Sequence, residues 1–260
     1  MLQNLTKRII ILSFITIFSI FFTGCRSNPQ ADLDRIISQD KIIFGVKNDS
    51  RPFGFEENWE LKGIDIDIAK YITKSILGDE NKAEYKIVDS ANRLLTLSSG
   101  GVDMVIASMS VTPQRKQIIN FSMPYYVAGQ TVLVRNESDI KSITDLRNRK
   151  IVVVFGTTAE KSLKKVAPGA IIVGTKSYIT AFEMLKSKQV EGMAADDTIL
   201  SEFAKQGKYR LLSQRYTKEP YAIGFRKSEL SESLELKVDS ILKEMINTGK
   251  LKSIEEKWIK

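Results

Sequence analysis

Short apolar runs recur along the chain, each followed by a stretch with helical spacing, and the whole alternation occurs twice in succession. "KIIFGV" (41–46), "EYKIV" (84–88) and "DMVIAS" (103–108) read as strands. Between the first two, "IDIDIAKYITKSIL" (64–77) sets Ile64, Ile68, Ile72 and Ile76 on one helix face. A second set opens at Lys150 with "KIVVVF", followed by "AIIV" (170–173) and a helix with Tyr178, Ile179, Phe182 and Leu185 on one side. "GMAA" (192–195) and a helix after Asp197 complete it. Such alternation predicts an α/β protein whose sheets are mostly parallel.

The two sets align with each other. "KIIFGVK" matches "KIVVVFG", and "LSSGGVDMVIAS" (97–108) matches "LKSKQVEGMAAD" (185–196), which superposes Lys47 on Gly156 and Ser108 on Asp196. All four positions fall at the carboxyl ends of expected parallel strands, where open α/β sheets bind ligands. Two similar lobes facing each other would aim these groups into one cleft. Two extended segments, "FSMPYYVAGQTVLVRN" (121–136) and "EPYAIGFRK" (219–227), lie where the chain would cross between lobes. Two crossings make a hinge of limited freedom, so cleft closure is the expected motion.

Composition removes much chemistry. The chain has no histidine, and Cys25 is its only cysteine. Ser–His–Asp and Cys–His machinery and the common zinc sites are thereby excluded. Lys7 and Arg8 precede an apolar run from Ile9 to Phe22. At about 1.5 Å per residue it spans roughly 21 Å, short of the roughly 30 Å bilayer core. It reads as a secretory signal peptide over 1–24. "FTGC" resembles a lipobox, with Phe22 in place of leucine, so Cys25 is expected to be lipidated and 25–35 to serve as a tether. Loss of Lys7 and Arg8 takes the net charge of +8 to about +6, spread without a basic run, and no nucleic-acid partner is expected.

The stretch "SMSVTPQRK" (108–116) carries the strongest chemical signal. Thr112 before Pro113 marks a helix start. Arg115 in the first turn opposes the partial positive charge there unless an anion is held nearby. Ser110, the helix start and Arg115 therefore read as an anion-binding group.

The motifs "GIDIDIAK", "NRLLTLSSGGVDMVIASMSVTPQRKQIINFSMPYY", "VVVFGTTAEKSL" and "VEGMAADDTIL" resemble, in this order and spacing, the extracytoplasmic amino-acid-binding proteins of ABC importers. The resemblance covers the chain from about Ile36 to its end and is nearest in motif to glutamate/aspartate-binding members. It implies a two-lobed periplasmic-binding-protein-like fold, with 36–125 and 221–260 forming a discontinuous first lobe and 126–220 a second lobe with the hinge strands. It implies that Arg115, with Ser110, grips the ligand α-carboxylate, and that Thr158 of "GTTAE" forms a second carboxylate clamp. Asp196 is then the acceptor for the α-ammonium, helped by Ser108. The expected partners are an amino acid, an ABC permease with its ATPase, and the membrane through the lipid anchor at the extracytoplasmic face. A monomer without cofactor or metal is expected.

Lys47 stands where histidine- and glutamine-binding relatives carry aspartate, and Arg93 where glutamate/aspartate-binding relatives meet the distal carboxylate. Arg115 and Asp196 cancel the two ends of any amino acid. Lys47 and Arg93 are then left as two uncompensated cations, and buried unpaired charge is costly, so an acidic side chain is expected. Glutamine or asparagine in the same role is the alternative. Ser50 replaces the aromatic on which basic ligands stack in relatives, and Phe53 or Phe55 is left as a candidate cleft wall. An enzyme is not expected: three SxxK matches lack the accompanying motifs. Asp65 and Asp67 read as helix-capping residues rather than metal ligands. A dehydratase or lyase on this fold would have only Asp196, Lys47 or Glu160 as acid or base.

Overall fold

Two five-stranded sheets of matching strand order bury the apolar runs. The computed structural model describes residues 31–259; the expected signal peptide, Cys25 and the first part of the expected tether lie outside them. The described chain begins with α1 (Asp32–Gln39). It continues through β1 (Ile42–Val46), a small three-stranded excursion of β2 (Asp49–Ser50), β3 (Gly54–Glu57) and β4 (Glu60–Lys62), and α2 (Ile64–Leu77). Then come β5 (Ala83–Ile87), α3 (Arg93–Ser98), β6 (Met104–Val105), the single-turn helix α4 (Pro113–Lys116) and β7 (Ile119–Phe121).

After a crossing strand, β8 (Tyr126–Ala128), the second set runs β9 (Gln130–Arg135), β10 (Lys150–Val154), α5 (Ala159–Val166), β11 (Ile171–Thr175), α6 (Tyr178–Lys186), β12 (Gly192–Asp196), α7 (Asp197–Ala204) and β13 (Tyr209–Leu211). The chain returns through β14 (Glu219–Tyr221) to β15 (Gly224–Arg226), α8 (Glu232–Asn247) and α9 (Lys250–Trp258).

The first sheet has the order β5-β1-β6-β15-β7 and the second β11-β10-β12-β9-β13. In each, the strands named by sequence alternation form a parallel trio, β5-β1-β6 and β11-β10-β12. Each trio is continued by an antiparallel strand, β15 beside β6 and β9 beside β12. Both of these lie next to the crossing segments, so the chain enters each from the opposite end and the sheets are mixed. The equivalence of β1 with β10 and of β6 with β12 accounts for the internal sequence similarity.

The crossing segments pair antiparallel as β8 and β14, Tyr126 opposite Tyr221, in a two-stranded ribbon that joins the lobes. Phe53 is fully buried and stands edge-on to Tyr126 and Tyr221, 5.0 Å from each ring. It wedges against the ribbon, while Phe55 turns to Trp258 at 5.4 Å.

Helix α2 buries Ile64, Ile68 and Ile72 as its spacing requires, with Ile76 half-buried. Helix α6 departs from expectation at one position: Tyr178, Phe182 and Leu185 are buried but Ile179 is 57% exposed. Three residues suffice for that face, since Phe182 stacks on Phe203 and meets Tyr209 edge-on. The β2–β4 excursion was not legible as strands, being short and polar. Asn58 and Trp59 turn it with φ of 54° and 63°, the left-handed pair that suits a two-residue hairpin.

Phe53→Ala should cost about 3–5 kcal/mol, as for a buried phenylalanine with little room to collapse. Urea unfolding of the two proteins measures it; a loss below about 1 kcal/mol would mean the ribbon does not depend on the wedge.

Candidate functional site

The carboxyl ends of the parallel strands in both sheets bring their polar residues to one junction. From the first lobe, α4 presents Arg115. Thr112 caps this turn by accepting from the Arg115 N–H at 3.2 Å, and Pro113 fills the first helical position. The Arg115 guanidinium donates through Nη1 to the Ser110 carbonyl at 2.7 Å and through Nη2 to the Gly156 carbonyl of the second lobe at 2.9 Å. Arg93, at the start of α3, donates through Nη1 to the Ala107 carbonyl at 2.6 Å and reaches the same Gly156 carbonyl at 3.5 Å.

Both arginines are buried, and among the described residues neither has a carboxylate within 4.0 Å. Arg93 Nε is also buried without a partner. Burial, then the charge of Arg93, lowers Arg115 to about 9, with Glu219 and Asp196 acting in the opposite direction. Burial likewise lowers Arg93.

Gly156 makes this approach possible. Its φ is +75°, and a Cβ there would lie 2.2 Å from the Ser90 carbonyl oxygen across the junction. Glycine is therefore the side chain that this backbone contact admits.

The second lobe supplies the acidic groups. Asp196 ends β12; its Oδ2 accepts a very short hydrogen bond from the Tyr221 hydroxyl of the ribbon, while its buried Oδ1 has no partner. Burial raises this carboxyl to about 7 against the pull of the Tyr221 hydrogen bond. Thr158, just before α5, donates to Glu219 Oε2 at 2.9 Å and accepts from Gln130 Nε2 at 2.7 Å. Ser108 has φ of 42°, and its N–H donates to Asp65 Oδ2 at 3.0 Å. Asp65 also accepts from Tyr125 Oη at 2.7 Å, and burial raises it to about 6.

Asp65 is thus not a helix cap, since Gly63 occupies that position; it is a fully buried carboxylate that holds the Ser108 loop. Asp67 accepts from Lys257 and from Trp258 Nε1, both at 2.8 Å, and ties α2 to α9.

The two-cation expectation fails at Lys47. Its Nζ lies 3.0 Å from Asp49 Oδ1 and 3.0 Å from Ser90 Oγ, with the Tyr178 ring 4.8 Å away. Asp49 cancels its charge, although burial still lowers the ammonium overall. Asp49 follows Lys47 by two residues, across the bend at Asn48 between β1 and β2. Gln130, Tyr178, Glu219 and Tyr221 were also missed, because they come from the ribbon and from a strand and helix with no motif of their own. Glu160 pairs with Lys164 at 2.6 Å on the surface of α5.

Residues 42–260 match the family model of bacterial extracellular solute-binding proteins, family 3. The chain is 38% identical to the ABC transporter glutamine-binding protein GlnH of Bacillus subtilis (strain 168), over 98% of each sequence. It is 31% identical to the glutamate-binding protein GluB of Corynebacterium efficiens, over 81% of this chain and 76% of that one. Among solved structures it is similar to an ancestral amino acid-binding protein, AncCDT-1, described as a precursor of cyclohexadienyl dehydratase. That likeness has a TM-score of 0.82 and 32% identity, covering 88% of this chain and 99% of that one. The named similarity therefore runs more strongly to a glutamine-binding relative than to a glutamate-binding one, against the nearness read from the motifs.

The raised Asp196 carboxyl has a consequence for stability. Between its ordinary value of 3.8 and about 7 the folded chain holds a proton that the unfolded chain releases. Its contribution is then least unfavourable below about pH 4, and it reduces stability as pH rises through that window. Asp196→Asn keeps an oxygen for Tyr221 and removes the charge. Thermal unfolding from pH 4 to 8 should show the variant gaining on wild type by several degrees toward pH 8; parallel curves would contradict the assignment.

Proposed function

The chain belongs to family 3 of the bacterial extracellular solute-binding proteins, and on that premise we propose that it captures a neutral polar amino acid, glutamine foremost. It delivers this ligand to an ABC permease driven by its ATPase, and it is held at the extracytoplasmic face by lipid on Cys25. In this reading Arg115 grips the α-carboxylate with a planar fork, aided by Ser110 and by the backbone N–H of Thr158, whose hydroxyl proton is donated to Glu219. The free Oδ1 of Asp196 accepts from the α-ammonium, helped by the Ser108 carbonyl. Arg93 donates to the oxygen of the side-chain amide.

The Lys47–Asp49 pair carries the choice of a neutral side chain. The junction then holds Lys47, Arg93 and Arg115 against Asp49, Asp65, Asp196 and Glu219. An amino acid with an uncharged side chain adds no net charge to this set, and its ammonium favours the ionised form of Asp196. A glutamate side chain would add an anion where carboxylates already equal or outnumber cations. The relative named for glutamine supports the same choice. For a dehydratase, Glu160 is paired with Lys164 and Lys47 with Asp49, and Asp196 is the acceptor for the ligand ammonium, so the site favours binding over turnover.

Thermal-shift titration of the chain with the common amino acids tests this reading. Glutamine at a hundredfold over its dissociation constant should stabilise by about 2.7 kcal/mol. Gly156→Ala should remove that shift, because its added Cβ, 2.2 Å from the Ser90 carbonyl oxygen, obstructs the lobe junction. No shift with any neutral amide, or an undiminished shift in the variant, would contradict the proposal.

A further inference from the structure

We propose that Asp49 sets the side-chain selectivity of the cleft, by cancelling the charge of Lys47 and fastening the cancelled pair to the opposite lobe. The inference deepens the amino-acid-binding reading above and rests on it. Asp49 uses its two oxygens on two different lobes. Oδ1 faces Lys47 Nζ at 3.0 Å and accepts from Ser50 Oγ at 3.1 Å, all within the first lobe. Oδ2 accepts from the Tyr178 N–H at 2.9 Å, at the first residue of α6 in the second lobe. A carboxylate at that end of a helix is favourably placed against the helix dipole.

The same Tyr178 covers Lys47 with its ring, so amide and ring together clamp the pair from across the junction. Lys47 is 1% exposed. An ammonium so placed requires an anion, and whichever anion lies nearest will serve. In the wild-type chain that anion is built in. Removing the Asp49 charge while keeping its shape leaves Lys47 to recruit a carboxylate from the ligand, which converts selectivity from an amide to an acid. Asp49 is thus a positioning and selectivity residue acting through Lys47.

The test is calorimetric titration of glutamine and glutamate into wild type, Asp49→Asn, and the double variant Lys47→Gln/Asp49→Asn. The wild-type ratio of the two dissociation constants decides the amide reading. The change in that ratio on substitution, whatever its starting value, decides the role of Asp49. Asp49→Asn should shift the ratio toward glutamate by about tenfold or more, and the double variant should shift it back. A ratio within about twofold of wild type, or equal loss of both ligands, would overturn the inference and leave Asp49 as a structural contact only. Should Asp49→Asn fail to fold by circular dichroism, Asp49→Ser keeps an acceptor for Tyr178 and is read by the same ratio.

Discussion

Arg93 and Arg115 are buried at the lobe junction and held by backbone carbonyls rather than carboxylates. A guanidinium out of water is costly unless it is both hydrogen-bonded and electrically compensated, and carbonyl oxygens supply only the first in full. The arrangement of the rest of the site follows from that constraint. The two groups converge on Gly156, whose lack of a side chain lets the second lobe bring one carbonyl to both. Carboxylates of Asp196 and Glu219 act on Arg115 from a distance without closing an ion pair. Such a site is prepared for an incoming carboxylate that completes the compensation, which is what an amino acid offers.

Side-chain choice then depends on what is left over. Lys47 alone would extend the positive surplus and favour an acid. Its pairing with Asp49 removes it from the count. Burial raises the carboxyls of Asp65 and Asp196 to about 6 and about 7, so in the proposed reading the ligand ammonium also influences how much negative charge the junction carries. In the proposed reading selectivity is a property of the sum over both lobes, which the contact of α6 with Asp49 of β2 brings together.

Much of this was legible in the residues. Strand and helix alternation, the repeat of KIIFGVK in KIVVVFG, and the two extended crossings anticipate the paired sheets and the β8–β14 ribbon. Thr112 and Pro113 announce the helix start that carries Arg115. Local charge balance is less legible: the partner of Lys47 is Asp49, which belongs to a two-residue strand that periodicity does not detect. Asp65 looked like a cap because its partners, Ser108 and Tyr125, lie more than forty positions away. Glu219, Tyr221 and Gln130 owe their place to the return of the chain through the ribbon, and that is set by tertiary pairing rather than by any local pattern.

In the proposed reading the lobe junction is electrically complete without an acidic side chain. Isothermal titration of the wild-type chain with glutamine and with glutamate at pH 7, after removal of carried-over ligand by unfolding and dialysis, tests it most directly. Glutamine should bind at least about tenfold more tightly. Tighter binding of glutamate would show that Lys47 and Arg93 act as free cations toward the ligand despite Asp49, which would contradict the charge balance of the junction.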